Sequence, residues 1–402
     1  VPTTAIGRRS SVRESDIYLD HAATTPVDPR VLEVMLPFFS ERFGNPSSIY
    51  TLGQDARAGL DWARGTLAGL LGCQARELVL TSGATESNNL AVKGVAWWHR
   101  FNTPERGNHV VVSAIEHHAV LHAAEALIQH GFEVSVVQPD PDGIIQPTAV
   151  EAALRPDTCI VSVMCANNEI GTIQPIREIA ALARACGIVV HTDAVQAAGA
   201  QSLDVDDLDV DLLSLSAHKF YGPKGVGLLY VRRRTPIAWQ QHGGGQEGAR
   251  RGGTENVPLI VGMAAALALA VDEMDGRNTR LRQLRDKLIE GILERVPDTI
   301  LNGHPTKRLP NNVNLSFAGV EGETLLLNLD MLGIAASSGS ACSTGSTEPS
   351  HVLTALGLGP DIARGSLRLT LGKDTTNAEI NRAIGVVVET VARVRELAGS
   401  TV

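Results

Sequence analysis

The stretch Leu212 to Gly227 reads LLSLSAHKFYGPKGVG and holds the residues with the most evident chemistry. An apolar run from Val210 to Leu215 leads into Ser216, Ala217, His218 and Lys219. Gly222-Pro223-Lys224-Gly225 then has the composition of a turn before a second apolar run from Val226 to Val231. The pattern predicts a strand, a polar corner and a strand. An ammonium group at the end of a buried strand is costly unless it is paired or its chemistry changes. Condensing the amine with an aldehyde is one such change, and a Schiff-base lysine carrying pyridoxal phosphate fits this position. Ser216 and His218, flanking donors at alternate positions, could hold a phosphate beside the imine. The competing reading is an ordinary loop lysine.

Other polar clusters fall just after apolar runs. Leu78-Val79-Leu80 runs into Thr81-Ser82-Gly83-Ala84-Thr85-Glu86-Ser87-Asn88-Asn89 and a helical Leu90 to Trp98. A strand, a small-residue turn and a helix start place free N–H groups and hydroxyls where a phosphate binds. A plain capped helix explains the same residues, and both readings stay open. The turn is not GxGxxG, so it is not read as a dinucleotide site. Val110 to Ser113 ends at Glu116-His117-His118, where one of the two histidines can face a site. Cys159 to Met164 ends at Asn167-Asn168-Glu169, and Ile188 to His191 ends at Thr192-Asp193-Ala194-Val195-Gln196. Cys342 sits in Ser337 to Thr347, a small and polar loop, where an exposed thiol suits nucleophilic work if its pKa is lowered. The other cysteines, Cys73, Cys159, Cys165 and Cys186, lie in apolar runs and are expected to be buried and inert. One thiol without a nearby His or Cys does not complete a metal site, so no metal is expected. A transient iron–sulfur cluster shared between Cys342 and a partner is the alternative.

The elements that must position these residues alternate strand and helix from 78 to 231, which predicts an α/β fold. Its sheet is mainly parallel, is covered on both faces and carries the site at the carboxyl edge. A Gly-rich segment, Gln241 to Asn256, lacks the Lys-Ser/Thr pair of a nucleotide P-loop. Beyond it, helices over 257–274 and 279–296 precede strands at 311–317, 334–336 and 366–371 and helices at 321–332, 349–357 and 377–397, a smaller α+β unit. With 402 residues and 44% hydrophobic content the chain is long enough for two or three domains. A net charge of -9 lacks a nucleic-acid footprint, and Arg232-Arg233-Arg234 reads as a solvated strand end. The apolar tract 257–271 falls short of the ~20 residues a membrane span needs, and residues 1–15 have no apolar core for a secretory signal. An odd cysteine count without CxxC fits a reducing cytoplasm.

The stretches YLDHAATTP, FGNPSS, TSGATESNN, IEHHAV, NNEIG, HTDAVQ, SAHKFYGPKG, GGGQE, GGTEN, SSGSACSTG and LRLTLG occur in this order over nearly the whole chain. Together they resemble the NifS/IscS-like cysteine desulfurases, a group of the class V aminotransferase-like, pyridoxal-phosphate-dependent enzymes whose signature is the SSGSAC loop. The resemblance implies the aspartate aminotransferase-like fold (fold type I). A large cofactor-binding domain would span 16–260, and a small domain, 1–15 with 261–402, would carry the mobile Cys loop at 337–347. It implies that Lys219 carries pyridoxal 5'-phosphate and moves the Cα proton, that Asp193 pairs with the ring nitrogen, and that Gln196 meets the ring's phenolic oxygen. His117 would stack on the ring as acid/base. Ala84, Thr85, Ser216 and His218 would hold the phosphate, and Thr254 would reach that of the other subunit of a homodimer. Asn168, Arg368 and Asn45 would position the carboxylate of L-cysteine. Cys342 would take the sulfur as a persulfide, releasing L-alanine, and pass it to acceptors for iron–sulfur cluster assembly or tRNA thiolation. Selenocysteine lyase or another class V aminotransferase, needing Lys219 but not Cys342, is the rival activity. Ala249 stands where the group usually has glycine, and the stretch 396–402 is shorter than the tail some relatives use to dock an iron–sulfur scaffold, which leaves the acceptor open.

Overall fold

The computed structural model describes residues 16–338 and 349–399. Its strands are β1 (Ile17–Tyr18), β2 (Leu78–Thr81), β3 (His109–Ser113), β4 (Glu133–Val137), β5 (Thr158–Ser162), β6 (Val189–Asp193), β7 (Leu212–Ser216), β8 (Gly227–Val231), β9 (Thr299–Leu301), β10 (Asn312–Phe317), β11 (Ile334–Ala335) and β12 (Ser366–Thr370). Seven form one sheet in the order β2-β8-β7-β6-β5-β3-β4. All neighbours run parallel except β8, which is antiparallel to both β2 and β7.

Nearly continuous apolar runs suit strands covered on both faces. Their alternate residues separate into two cores, as a period of two demands. Leu80, Val111, Val161, Val190, Leu213 and Leu228 pack on one face with the helices Thr51–Leu70, Ile176–Ala185 and Val257–Asp272. Val79, Val110, Val112, Ile160, Leu212 and Leu229 pack on the other with Ala84–Asn102 and His118–Ile128. The edge strand β2 is sealed by the Gly-rich segment. Glu247 Oε2 accepts from the Leu80 N–H at 3.0 Å, Arg250 donates to the Leu78 carbonyl at 2.8 Å, and Glu247 also pairs with Arg64. A bare edge would otherwise invite pairing with another chain.

A third core gathers Ile17 and Leu19 with residues from 281 to 394 around the antiparallel β12-β10-β9 and the parallel pair β1-β11. The helices Met274–Leu293 and Asn377–Gly399 cover it. The 167–171 loop, just past the carboxyl end of β5, is stitched to this unit. Asn312 and Asn314 both donate to the Glu169 carbonyl at 3.1 Å, and Arg308 donates to that of Ile170 at 2.7 Å.

Candidate active site

A cavity of about 520 Å³ opens beyond the carboxyl ends of β3, β5, β6 and β7. Ligands of open α/β sheets sit in such a position. Lys219 closes a single 3-10 turn, Ala217–Lys219, that directly follows β7. Its Nζ donates to the Ala22 and Ala23 carbonyls at 2.6 and 2.7 Å. The loop supplying them is tied to the same corner: Thr25 Oγ1 donates to the His218 carbonyl at 3.0 Å and accepts from the Tyr221 N–H at 2.8 Å. Gln196 lines the cavity and donates to the Ala22 carbonyl at 3.1 Å.

Asp193 ends β6 and is almost fully buried. Its carboxylate accepts from Asn88 Nδ2 at 2.6 Å and from the Val195 N–H at 3.0 Å. Asn88 comes from the helix Ala84–Asn102, and its own Oδ1 is buried without a partner among the described residues. His117 lines the cavity and caps the helix His118–Ile128, with Nδ1 accepting the Ala119 N–H at 3.1 Å. An Nδ1 that accepts leaves Nε2 to carry the ring proton. Burial lowers the His117 pKa, and the Asp193 charge opposes that. His118 does not line the cavity: its ring stacks on His122 and leans on His351, each at 4.7 Å.

One end of the cavity gathers hydrogen-bond donors at a helix start. Gly83 is the N-cap of Ala84–Asn102 and offers no side chain to the first N–H groups of that helix, which therefore stay available. Ser82, Ala84, Thr85, Ser216 and His218 line this end, with Lys224 adding an ammonium group. The turn fits only because β8 begins with glycine. A Cβ on Gly227 would lie 2.7 Å from Gly83 Cα and 2.6 Å from the Leu215 carbonyl oxygen. Burial, then the charges of Lys219 and Lys224, push His218 down to about 4, so its ring is neutral at neutral pH and donates or accepts without charge. The other end holds Asn168 and Arg368. Arg368, on β12 and buried, donates to Asp20 at 2.7 Å and to the Asn168 carbonyl at 3.2 Å, while its Nε has no partner among the described residues.

Ten of the residues expected from the sequence thus share one cavity: Ala84, Thr85, His117, Asn168, Asp193, Gln196, Ser216, His218, Lys219 and Arg368. Asn45 and Thr254 are exposed and lie outside it. Asn45 is spent on a local turn, accepting the Ser47 N–H at 2.9 Å. Cys342 lies outside the described residues. Cys159 and Cys165 are buried, and burial pushes their thiols up to about 12. Cys186 departs from expectation. It is exposed, because it caps the C-terminus of Ile176–Ala185 rather than joining that helix's apolar stripe. Asn88, Glu86, Lys224 and Asp20 were not anticipated as site residues. Asn88 follows Thr85 by three positions, and a helix start places i and i+3 on one side; that signal could have found Asn88. Among the described residues no group of three His, Cys, Asp or Glu could hold a metal ion.

Residues 17–383 match the Aminotransferase class-V family. The chain belongs to this family. It is 50% identical over 395 residues to the cysteine desulfurase IscS of Methanosarcina thermophila, covering 98% of this chain and 96% of that one. It is 48% identical over 382 residues to the cysteine desulfurase IscS of Dictyoglomus turgidum, covering 95% and 96%. These relatives place it among the cysteine desulfurases within the family. Among solved structures, a NifS-like protein superposes with a TM-score of 0.88 at 37% identity, over 94% of this chain and all of that one. The structure of SspA in complex with cysteine matches with a TM-score of 0.78 at 37% identity, over 90% of this chain and 100% of that one.

Proposed function

We propose that this class-V aminotransferase is a cysteine desulfurase that takes sulfur from L-cysteine, releases L-alanine and holds the sulfur as a persulfide on Cys342. The reading is carried by one arrangement: an amine at a strand end, a buried carboxylate and an open helix N-terminus facing one cavity. The identity to cysteine desulfurases over nearly the full chain supports it, as does the cysteine bound to the similar SspA.

The donor set fits pyridoxal 5'-phosphate. Lys219 can bind an aldehyde carbon, Asp193 a protonated ring nitrogen, and Gln196 a phenolic oxygen. Ala84, Thr85, Ser216 and His218 can bind the phosphate. When bound, the cofactor supplies an electron sink that makes the substrate Cα proton labile and weakens the Cβ–S bond. Asn88 holds the Asp193 carboxylate in place, where it would meet a protonated ring nitrogen. The Lys219 amine, which lines the cavity, would be the base that takes the substrate Cα proton. His117, neutral and protonated at Nε2, is placed to give or take a proton across the cavity. Arg368 and Asn168 hold the substrate carboxylate. The Cys342 thiolate then attacks the substrate sulfur: an S–S bond forms, the Cβ–S bond breaks, and the carbon that keeps the electron pair is protonated to give alanine.

A homodimer is part of this reading. Leu36, Phe39, Phe43, Ile49 and Tyr50, close together in sequence, are all exposed, and apolar side chains left in the open suit an interface. In the dimer, Thr254 would serve the neighbouring copy's cavity. The persulfide would go to acceptors for iron–sulfur cluster assembly or tRNA thiolation in a reducing cytoplasm. The test is Cys342→Ser. The variant is expected to keep its visible absorbance with pyridoxal phosphate and lose sulfide and alanine release under reductant. Release at the native rate would sink the desulfurase reading and favour a selenocysteine lyase or aminotransferase; Lys219→Ala is expected to lose the absorbance itself.

A further inference from the structure

The anion-binding end of the cavity contains a carboxylate. Glu86 lines it from the first turn of Ala84–Asn102, one residue beyond Thr85. Its side chain reaches back and accepts from the Ser82 N–H at 2.7 Å and from Ser82 Oγ at 2.6 Å, holding the turn that presents Ala84 and Thr85. An acid at a helix start is stabilised by the dipole, but the same positive potential is what recruits a phosphate there. Burial acts to raise the Glu86 pKa, yet the hydrogen bonds from Arg251 and Ser82 hold it below its ordinary value. A fixed negative charge therefore stands among groups that should bind a dianion.

Arg251 answers that charge. Its Nε donates to Glu86 Oε1 at 2.8 Å and its second terminal nitrogen to Oε2 at 3.2 Å, a two-pronged pair in which both side chains are mostly buried. Such a pair needs the planar fork of arginine. Arg251 comes from the Gly-rich segment, whose position is fixed independently by Glu247 on Arg64 and on the β2 edge. The segment thus does more than seal the sheet: it lays a cation against the carboxylate of the phosphate cradle.

We propose that Arg251 is a positioning residue for the cofactor phosphate, neutralising Glu86 and locking the Ser82–Glu86 turn around the Ala84 and Thr85 N–H groups. This rests on the reading that the cavity takes pyridoxal 5'-phosphate. The test titrates full-length apo-protein with pyridoxal 5'-phosphate and with pyridoxal, which lacks the phosphate, following absorbance and intrinsic fluorescence. Arg251→Gln is expected to bind pyridoxal 5'-phosphate on the order of ten-fold more weakly, the scale of one nearby charge largely screened by water, and to bind pyridoxal unchanged. Adding Glu86→Gln, which keeps an acceptor for Ser82 but removes the charge, should restore most of the loss. Arg251→Lys, which keeps the charge, should lose far less than Arg251→Gln. Equal weakening for both ligands, no weakening, or no rescue by Glu86→Gln would overturn the proposal. A native protein that binds the two ligands equally well would instead overturn the phosphate cradle on which it rests.

Discussion

Glu116 offers a stringent test of how burial is balanced in this fold. It lies between β3 and the His117 cap with no exposed surface. One carboxyl oxygen accepts from Ser113 Oγ and from the Met164 N–H at 2.7 Å, while Oε2 has no partner among the described residues. Burial pushes its pKa up to about 8, from an ordinary 4.5, against the pull of those two donors. The folded protein therefore keeps a proton on Glu116 that the unfolded chain has released. A carboxyl raised in the folded state adds stability that is complete below 4.5 and is lost as pH rises through the folded value. Between 4.5 and about 8 the loss runs at about 1.4 kcal/mol per pH unit and totals about 5 kcal/mol. Glu116→Gln keeps the acceptor for Ser113 and Met164 but carries no titrating proton. All other groups titrate alike in the two proteins, so their difference isolates this one. Urea unfolding of native protein and variant at pH 5, 6, 7 and 8 should show the variant gaining on the native by a little over 1 kcal/mol at each step, tapering to about 1 kcal/mol between pH 7 and 8 as the folded carboxyl begins to ionise. Parallel curves would refute the argument, because they would mean that Glu116 is ionised in the fold.

Glu169 repeats the pattern on a smaller scale. It is pushed up to about 7, mainly by burial, so Glu169→Gln should gain on the native protein between pH 4.5 and 7 in the same unfolding series and stop gaining above that. Gly227→Ala brings a Cβ against Gly83 backbone and the Leu215 carbonyl. It should cost roughly 1–3 kcal/mol of overpacking in thermal unfolding and weaken pyridoxal 5'-phosphate binding with it. Ala249 has φ +61, a left-handed backbone that costs a non-glycine residue roughly 1 kcal/mol. Ala249→Gly should therefore raise the unfolding midpoint with the β2-edge contacts unchanged; a lower midpoint would mean that this backbone is not strained.

Local patterns made much of the site legible. Apolar runs ending in Lys219, Asp193, His117 and Asn168 pointed to one sheet edge, because strand ends in a parallel sheet converge regardless of their distance in sequence. What stayed hidden depends on partners fixed only by tertiary packing. Nothing near Asp20 signals that it meets Arg368, nearly 350 residues on. Nothing near Arg251 signals Glu86, and the Gly-rich segment read as irregular because its role is to cover an edge strand rather than to form an element. The two-residue β1 was too short for any period to register, yet it pairs with β11 and draws Ile17 and Leu19 into the third core. Cys186 misled for the opposite reason: an apolar neighbourhood in sequence does not fix which side of a helix end a residue takes.

The central claim concerns where one sulfur atom goes. Cofactor-loaded protein should be given L-cysteine for a single turnover without reductant, digested without reduction, and its peptides weighed. The account predicts one added sulfur on the peptide containing Cys342, with an equal amount of L-alanine in solution. Sulfur on the peptides of Cys73, Cys159, Cys165 or Cys186, or alanine released with no sulfur on the protein, would contradict it.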